Sequence, residues 1–227
     1  NRLLMTQIVG VDVGGTFTDL VLFDTETESV KIAKVPSTPE NQAFGVMQAL
    51  ESAGATMETL NTVIHGTTIT TNALLERKIS RVGLITTQGF RDVLELGRRT
   101  RPKPYGMTGS FECIIPRELR LEVRERVDCD GEIVEELNEA DVRKAVEQLL
   151  ESGVEAIIIH FLHSYKNDFH ERKAEKIVKE LWPNQFITRG SALVSEFREY
   201  ERGTTAAINA AIQPVLHRYI ERLQQKL

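Results

Sequence analysis

The first forty residues alternate short apolar runs with polar positions, a pattern typical of β-strands. Strands are predicted at residues 7–13, 18–24 and 29–36, where β-branched residues are frequent. Only short turns separate them, and short turns join antiparallel neighbours. The chain is therefore predicted to open with an antiparallel sheet.

A helix is predicted after these strands. Thr38 suits its N-cap, Pro39 suits its first position, and Gly54 suits its end. The apolar face predicted for this helix comprises Phe44, Met47 and Leu50.

Two further strands, 62–65 and 81–87, are predicted to be buried. They are separated by a helix that Thr67 and Thr68 would cap and that residues 73–75 continue. Because strands that alternate with helices pair in parallel, an α/β sheet is expected here.

The pattern changes between residues 100 and 137, where prolines and glycines interrupt the apolar positions. This region is predicted to be a loop-rich excursion that carries a β-hairpin, with residues 129–132 as the turn. The alternating apolar positions assigned to the excursion are Leu119, Leu121, Val123 and Val127.

A second α/β unit is predicted after the hairpin. Asn138 would cap one helix, residues 156–161 form an apolar strand, and Asn167 would begin a second helix that ends at Trp182. The buried face of the first of these helices is predicted as Val142, Ala145, Val146, Leu149 and Leu150.

The last segment repeats apolar residues with a helical period from Ile208 to Leu223. Pro214 lies inside this segment. Proline disrupts a helix interior, so the helix either kinks near Ala210 or begins only at Pro214.

Composition narrows the classes of function. The 227 residues carry a formal net charge of −5 with a pI of about 5.7, which disfavours a nucleic-acid surface. No apolar run is long enough for a membrane helix, and no signal peptide is recognised. Cys113 and Cys129, without a CxxC motif, are interpreted as free thiols of a reducing cytoplasm. The spacing of His160 and His163 is poor for a metal site.

The turn between the first two strands carries the strongest chemical signal. Gly14 and Gly15 would let the backbone approach a phosphate, and Thr16 and Thr18 add hydroxyls. Asp12 is an oxygen ligand of the kind that Mg²⁺ prefers. The turn is neither a Walker A loop nor a dinucleotide-binding fingerprint, since no Gly-Lys-Ser/Thr and no helix follow it. An ordinary hairpin, with two glycines for its turn, is the alternative.

A second candidate is the turn His65-Gly66-Thr67-Thr68, between a predicted strand and a predicted helix. N–H groups at a helix start favour anions. Alternatively, the threonines only cap the helix and His65 lies at the edge of the core.

Three charged residues after the next strand have two interpretations. Arg91, Asp92 and Glu95 would contact substrate or, more simply, form the charged face of a short helix.

Several long motifs together carry a family resemblance. They are residues 8–24, 63–77, 86–98 and 196–202. From about Gln7 to its end the chain resembles the amino-terminal part of the hydantoinase/oxoprolinase family, the ATP-using subunits of N-methylhydantoinase, 5-oxoprolinase and related carboxylases. That family belongs to the superfamily of sugar kinases, heat-shock ATPases and actin.

The resemblance implies the fold class. We expect an α/β, ribonuclease H-like half of an actin-like ATPase with a mixed sheet, followed by the hairpin excursion and the second α/β unit. The corresponding domains are residues 5–100 for the core with the phosphate loop, 101–190 for the excursion and second unit, and 191–227 for the start of the following region.

The resemblance also implies the chemistry. ATP with Mg²⁺ would phosphorylate the carbonyl oxygen of a cyclic amide or imide, and a partner subunit or carboxy-terminal region would complete hydrolysis or carboxylation. Asp12 and Thr16 are the predicted catalytic residues, and Asp12 is the predicted metal ligand. The residues predicted to bind the nucleotide are Gly14, Gly15, Thr16, Thr18, Asp19, His65, Gly66, Thr67 and Thr68.

Two other functions stay open, a small-molecule kinase of the same superfamily and an actin-like regulatory nucleotide-binding protein. Neither a second phosphate loop nor adenosine-binding glycines are recognised, so these residues are expected to be a fragment of a longer polypeptide. The fragment alone is expected to be inactive. An oligomer is compatible with the family, whereas nucleic-acid and membrane partners are not expected.

Overall fold

The computed structural model describes residues 6–37, 42–56, 58–98, 105 and 113–225. The chain divides into two compact units, one comprising Asn1–Lys78 with Val215–Leu227 and the other comprising Ile79–Pro214. The predicted domain limits, after residues 100 and 190, do not coincide with this division. They remain a prediction.

The first unit contains a four-stranded mixed sheet. Its strands are β1 (Gln7–Val13), β2 (Phe17–Asp24), β3 (Ser29–Pro36) and β4 (Leu60–Thr67), in the order β3-β2-β1-β4. The pairs β1–β2 and β2–β3 are antiparallel, and β1–β4 is parallel. The predicted antiparallel opening is therefore confirmed.

Helix α1 (Gln42–Ala53) covers one face of this sheet and ends before Gly54, as predicted. Its buried face was predicted incompletely. Phe44 is 45% exposed, whereas the core takes Ala43, Val46, Ala49, Leu50 and Ala53. The alanines share the period of the predicted face and, being small, let the helix lie close to the sheet. Thr38 and Pro39, the predicted helix start, lie outside the described residues.

Strand β4 is not buried, contrary to prediction. It pairs only with β1 among the described strands, and Ile64 is 63% exposed. A strand at a sheet edge has a neighbouring strand on one side only. The apolar sequence of β4 does not reveal that it lies at an edge. Helix α2 (Ile69–Leu75) follows it directly.

The second unit contains a four-stranded sheet in which every pairing is parallel. It begins with β5 (Val82–Thr87), α3 (Val93–Leu96) and β6 (Arg120–Val123). Later elements are α4 (Glu139–Glu151), β9 (Ala156–His160), α5 (Phe169–Leu181) and β10 (Ile187–Arg189). The strand order is β10-β9-β5-β6, and the expected parallel pairing is present in this sheet. The expectation that strands 62–65 and 81–87 share one sheet is wrong, because β4 pairs with β1 in the first sheet.

The predicted hairpin is present but shorter than expected. Strands β7 (Arg126–Val127) and β8 (Ile133–Glu135) pair antiparallel around the predicted turn. Residues 120–123, which were assigned to the excursion, instead form β6 beside β5. Alternation alone does not say which strand is the neighbour. Residues 99–104 and 106–112 of the excursion lie outside the described part of the chain.

Helices α4 and α5 pack against each other and on the parallel sheet. The Asn138 side chain accepts a hydrogen bond from the Asp141 N–H at 3.0 Å, which confirms the predicted cap. Leu150, predicted to be buried, is 37% exposed. Helix α5 begins at Phe169, whose N–H donates to the Asn167 side chain at 3.1 Å.

After the four-residue helix α6 (Gly190–Leu193), the chain ends in the long helix α7 (Glu199–Gln224). Pro214 lies inside α7, so a helix start at Pro214 is wrong, and the kink stays a prediction. None of the described helices is long and apolar enough to cross a membrane. Neither Cys113 nor Cys129 is in a disulfide within the described residues.

Candidate functional site

A row of four polar or small residues crosses the exposed face of the first sheet. Strand register places Gly66 beside Asp12, Asp12 beside Asp19, and Asp19 beside Lys34. Lys34 Nζ lies 2.9 Å from the Asp19 carboxylate. Asp12 has no ion-pair partner among the described residues, so its charge is available to a cation.

Because Gly66 has no side chain, it leaves room for the Asp12 carboxylate. A Cβ built on Gly66 would lie 3.4 Å from Asp12 Oδ1, and only the backbone of this residue enters the row. Both residues are exposed. The carboxylate of Asp12 therefore stands at the strand end with open space around it.

The glycine turn is closed by its own backbone. The Gly14 N–H donates to the Phe17 carbonyl at 3.0 Å, and Ser37 donates to the Gly14 and Thr16 carbonyls at 2.8 Å each. The Gly14 N–H is therefore engaged inside the hairpin. Within the described chain no acceptor faces the N–H groups of Gly15 and Thr16, and both residues are exposed.

Backbone dihedrals do not require glycine at either position of this turn. Neither Gly14 nor Gly15 has a positive φ. A Cβ on Gly14 would lie 3.1 Å from the Phe17 carbonyl oxygen, so this position needs glycine for close approach. A Cβ on Gly15 would meet only Asn72 Nδ2, at 3.5 Å.

Thr18 lies on the opposite face of the sheet from Asp12 and Asp19. It is fully buried, and its hydroxyl is 3.0 Å from the Ser37 hydroxyl. Alternate residues of a strand point to opposite faces. The sequence did not show on which side of the sheet this hydroxyl lies.

The two predicted turns meet. The Thr68 N–H donates to the Val13 carbonyl at 3.4 Å, and Asn72 Nδ2 donates to the Thr68 hydroxyl at 3.3 Å. The Asn72 amide consequently lies beside Gly15. The place of Asn72 beside the glycine turn depends on tertiary structure.

His65 faces the core side of the sheet. It lies beside Val11, which is 3% exposed, and its Nε2 is 2.7 Å from the Tyr219 hydroxyl. Burial lowers the pKa of His65, and the Asp12 carboxylate opposes this shift. Burial raises the pKa of Tyr219 to about 12. The neutral His65–Tyr219 pair joins β4 to α7. Nothing in the sequence linked these two residues.

Thr67 helps to form the helix start. Its hydroxyl accepts from the Ile69 N–H at 3.2 Å, whereas the N-cap residue Thr68 makes no capping bond. Only part of the predicted capping is therefore present, and α2 is short.

Each of the three charged residues after β5 pairs with an oppositely charged side chain further along the chain. Asp92 accepts from the Arg117 guanidinium at 2.8 and 3.0 Å, and Glu95 accepts from the buried Arg120 at 3.0 Å. Arg91 lies 4.0 Å from Glu122. The simpler interpretation, a charged face of a short helix, accounts for these contacts.

Residues 8–182 match the family model described as the hydantoinase/oxoprolinase N-terminal region. The chain belongs to the hydantoinase/oxoprolinase family. The caprolactamase subunit alpha of Pseudomonas jessenii is 35% identical over 226 residues, which cover 95% of this chain and 32% of that protein.

Two solved structures share the fold. The ATP-dependent caprolactamase from Pseudomonas jessenii matches with a TM-score of 0.83 and 33% identity, over 96% of this chain and 33% of that one. Nucleotide-free acetone carboxylase matches with a TM-score of 0.80 and 26% identity, over 97% and 34%. The expected actin-like ATPase fold is confirmed, and the chain spans about a third of the length of these relatives.

Proposed function

We propose that this chain supplies the phosphate-binding wall of an ATP-dependent enzyme that phosphorylates the carbonyl oxygen of a cyclic amide or imide. The observation that carries the proposal is the unpaired Asp12 carboxylate beside Gly66, next to a turn in which two backbone N–H groups have no acceptor within the described residues. The family membership and the names of an ATP-dependent caprolactamase and an ATP-dependent carboxylation enzyme support it.

The reaction needs activation because an amide carbonyl is stabilised by donation of the nitrogen lone pair. Transfer of the γ-phosphoryl group to the carbonyl oxygen breaks its bond to ADP and creates a good leaving group. Catalysis of phosphoryl transfer is mostly positioning and charge neutralisation. The N–H groups of Gly15 and Thr16 would donate to phosphate oxygens, and the Thr16 hydroxyl would fix their orientation.

Asp12 fits the requirements of a Mg²⁺ ligand. Mg²⁺ is commonly held by one or two carboxylates, several waters and substrate phosphates. Asp12 is exposed and unpaired, and Gly66 leaves space beside it. No group of three or more His, Cys, Asp or Glu side chains within the described part of the chain is arranged to hold a metal ion. When bound, Mg²⁺ would neutralise phosphate charge at Asp12.

Other predicted nucleotide ligands receive supporting roles in this proposal. Thr18 and His65 lie on the core side, so we assign them to positioning the two turns. Gly14 closes the hairpin through its N–H. Asp19 is paired with Lys34 and would set the charge of the row. Asn72 joins the site through its contact with Gly15.

A partner subunit belongs to the proposal. The 35% identical relative is named a subunit alpha, and that name implies a further subunit in its own enzyme. We propose that a partner, or a further region of the same polypeptide, hydrolyses or carboxylates the phosphorylated intermediate. A cytoplasmic location is proposed because neither cysteine is in a disulfide within the described residues.

The test replaces Asp12 by Asn in the full-length protein with its partner. We expect ATP turnover to fall about 100-fold or more, because Asp12→Asn removes the charge without changing the shape. The matched control is Asp24→Asn, a partly exposed acid at the other end of the same sheet whose Oδ1 accepts from the Glu26 and Thr27 N–H groups. Wild-type turnover in a folded Asp12→Asn variant would contradict the proposal.

The same assay separates the alternatives. Release of inorganic phosphate together with ring opening or carboxylation supports the proposal. A product that keeps its phosphate would indicate a small-molecule kinase, and slow turnover without stimulation by any cyclic amide would indicate a regulatory nucleotide-binding protein.

A further inference from the structure

A cleft opens in the second unit beyond the carboxyl ends of β5 and β9. Its walls come from the segments that follow these two strands and from residues around the start of α7. Strand β6 lies on one side of β5 and β10 lies on the far side of β9, so the chain leaves β5 and β9 in opposite directions. In open α/β sheets, ligands bind outside the carboxyl ends of the strands at such a point. The fold therefore leaves the cleft open to a ligand or a partner.

The lining of the cleft has the composition of a protein interface. Aromatic residues make up 6% of the whole chain, whereas four of the twelve described residues that line the cleft are aromatic, and these twelve include two arginines but no lysine. The aromatic residues and arginines are Phe90, Arg98, Tyr165, Phe197, Arg198 and Tyr200. Interfaces between proteins are enriched in aromatic residues and arginine and depleted in lysine. This lining therefore favours a protein partner.

Apolar surface extends beyond the cleft. Phe197 is 60% exposed, and Leu96, next to the lining residue Gly97, is 57% exposed. The cleft volume of ≈ 840 Å³ falls in the range of small-molecule sites, but such sites enclose most of their ligand. A segment of another protein covers projecting side chains of this kind more completely than a small molecule does.

The loop after β9, which forms one wall, is held by buried ionisable side chains. The Phe161 N–H donates to the carboxyl group of Glu171 at 3.0 Å, and the Phe161 carbonyl accepts from Arg202 at 3.2 Å. Glu171 and Arg202 are both 0% exposed. Burial of such groups is costly unless hydrogen bonds compensate for it. Two buried side chains are therefore used to fix one peptide segment.

The next two residues of this loop are also held by side chains. The Leu162 N–H donates to the Thr87 hydroxyl at 2.9 Å, and the His163 N–H donates to the Glu199 carboxylate at 3.1 Å. His163 has a φ of 56°, a left-handed conformation that non-glycine residues rarely adopt. A wall that is fixed before binding loses less conformational entropy when a partner docks. The loop is therefore suited to be one side of a docking surface.

Both glutamates that line the cleft are neutralised by arginines. Glu199 pairs with Arg202 at 3.1 Å, and Glu201 pairs with Arg98. The negative charge of the lining is thus already compensated.

Arg198 gives the cleft an excess of positive charge. Its guanidinium lies over the Phe197 ring, 5.2 Å from the centroid, and forms no ion pair within the described part of the chain. A second guanidinium, that of Arg126, lies over the ring of the lining residue Phe90, 4.7 Å from its centroid, and likewise has no ion-pair partner among the described residues. A guanidinium that stacks on a ring keeps N–H groups at its edge for an acceptor. The cleft is therefore complementary to a carboxylate.

We propose that this cleft docks a segment of the partner subunit that presents an aspartate or glutamate next to an apolar side chain. The carboxylate accepts from the Arg198 guanidinium, and the apolar side chain covers Phe197 and Tyr200. The partner is the separate subunit of the proposed function, on which this inference rests. Hydrogen bonds from arginine to a carboxylate are strong and directional, and arginine and aromatic side chains carry much of the binding energy of interfaces.

The experiment measures the affinity of the full-length protein for its partner subunit by calorimetry, without nucleotide. Arg198→Gln and Phe197→Ala are each expected to raise the dissociation constant about tenfold or more. Both side chains are exposed, so the two changes should leave the fold intact. The matched controls lie outside the cleft lining. They are Arg143→Gln, at a partly exposed position of α4, and Phe169→Ala, at a position of α5 that is 48% exposed.

Photo-cross-linking identifies the partner segment. The photoreactive residue p-benzoylphenylalanine takes the place of Phe197, and the cross-linked peptides are identified by mass spectrometry. The same group in place of Phe169 is the control. We expect the group at the Phe197 position to cross-link to a partner peptide that contains an aspartate or glutamate. Replacement of that acid by lysine should weaken the complex, and its combination with Arg198→Glu should restore affinity.

The failures are distinguishable by variant. Asp12→Asn should assemble with wild-type affinity, and Arg198→Gln should leave ATP affinity unchanged. Three results would overturn the docking proposal while the Asp12 result stands: unchanged assembly of both cleft variants, a cross-link to a further region of the same polypeptide, and ATP turnover that needs no separate subunit. Binding of phenylacetate but not of phenylacetamide, with assembly unchanged, would assign the cleft to a small organic anion and overturn the proposal as well.

Discussion

Single buried side chains show how this sequence uses polar groups inside its second unit. His160 is 4% exposed, and neither ring nitrogen has a partner among the described residues. Burial, with a contribution from the positive charge of Arg202, lowers the pKa of His160 to about 3. A Cβ on Gly190 would lie 2.7 Å from His160 Nδ1, so glycine makes room for the ring. The imidazole is therefore a neutral packing group.

Acid should destabilise the protein through His160. In the unfolded chain its pKa is 6.5, so between pH 6.5 and about 3 the unfolded state binds a proton that the folded state excludes. Stability is lost as pH falls, by about 1.4 kcal/mol per pH unit below the unfolded pKa. Between pH 7 and pH 5 the loss from this group is roughly 2 kcal/mol.

Urea unfolding of His160→Gln and wild type at pH 7 and pH 5 would measure this difference. The variant should lose roughly 2 kcal/mol less than wild type over that interval. Burial raises the pKa of Glu171, which gives the opposite dependence on pH, but this contribution cancels in the comparison. His217→Gln, at a more exposed position, is the control, and an unchanged slope in His160→Gln would refute the assignment.

At the scale of elements, the sequence signals for helix starts were dependable where a side chain makes the capping bond. Helix α4 begins with Asn138, whose Oδ1 accepts the Asp141 N–H. The first turn also carries Glu139 and Asp141, whose charges favour a helix start. By contrast, Thr68 stands at the cap of α2 without a capping bond.

Asn138→Ala is expected to destabilise the protein by about 1 kcal/mol, because an N–H of the first turn loses its acceptor. Asn138→Asp keeps an acceptor oxygen at the same position and should cost less. Chemical denaturation at pH 7 gives both values. Equal stability of the alanine variant and wild type would mean that the capping bond contributes nothing.

At the scale of the whole molecule, each unit has a hydrophobic core of its own. One core contains Val9, Leu20 and Leu22 with residues of α1, and the other contains Leu84, Ile158 and Ile159 with residues of α4 and α5. A compact unit with its own core can in principle open independently.

Leu22→Ala, at a position that is 2% exposed, should destabilise the first unit by about 2–5 kcal/mol. Native-state hydrogen exchange should then accelerate in β1 and β2 while β5 and β9 keep their protection. Ile158→Ala, at a fully buried position, should produce the reverse pattern. Equal acceleration in both sheets by either variant would show that the two units unfold together.

The sequence by itself determined the elements whose signal is local. Period-two alternation located β1 to β3, a side-chain cap located α4, and an uninterrupted apolar run located β9. The motif around Asp12 and the glycines was recognisable because chemistry-bearing residues were close together in the chain. The family resemblance rests on the same kind of local information.

Tertiary structure decided which neighbours and faces those residues have. Alternation shows that Thr18 and Asp19 point to opposite faces, but only the position of α1 says which face is covered. Each of three features contacts residues that are far away in sequence: His65, β6 and the loop after β9. Such contacts depend on strand order and on packing between distant segments, because pairing energy is shared among many residues and no single residue encodes it.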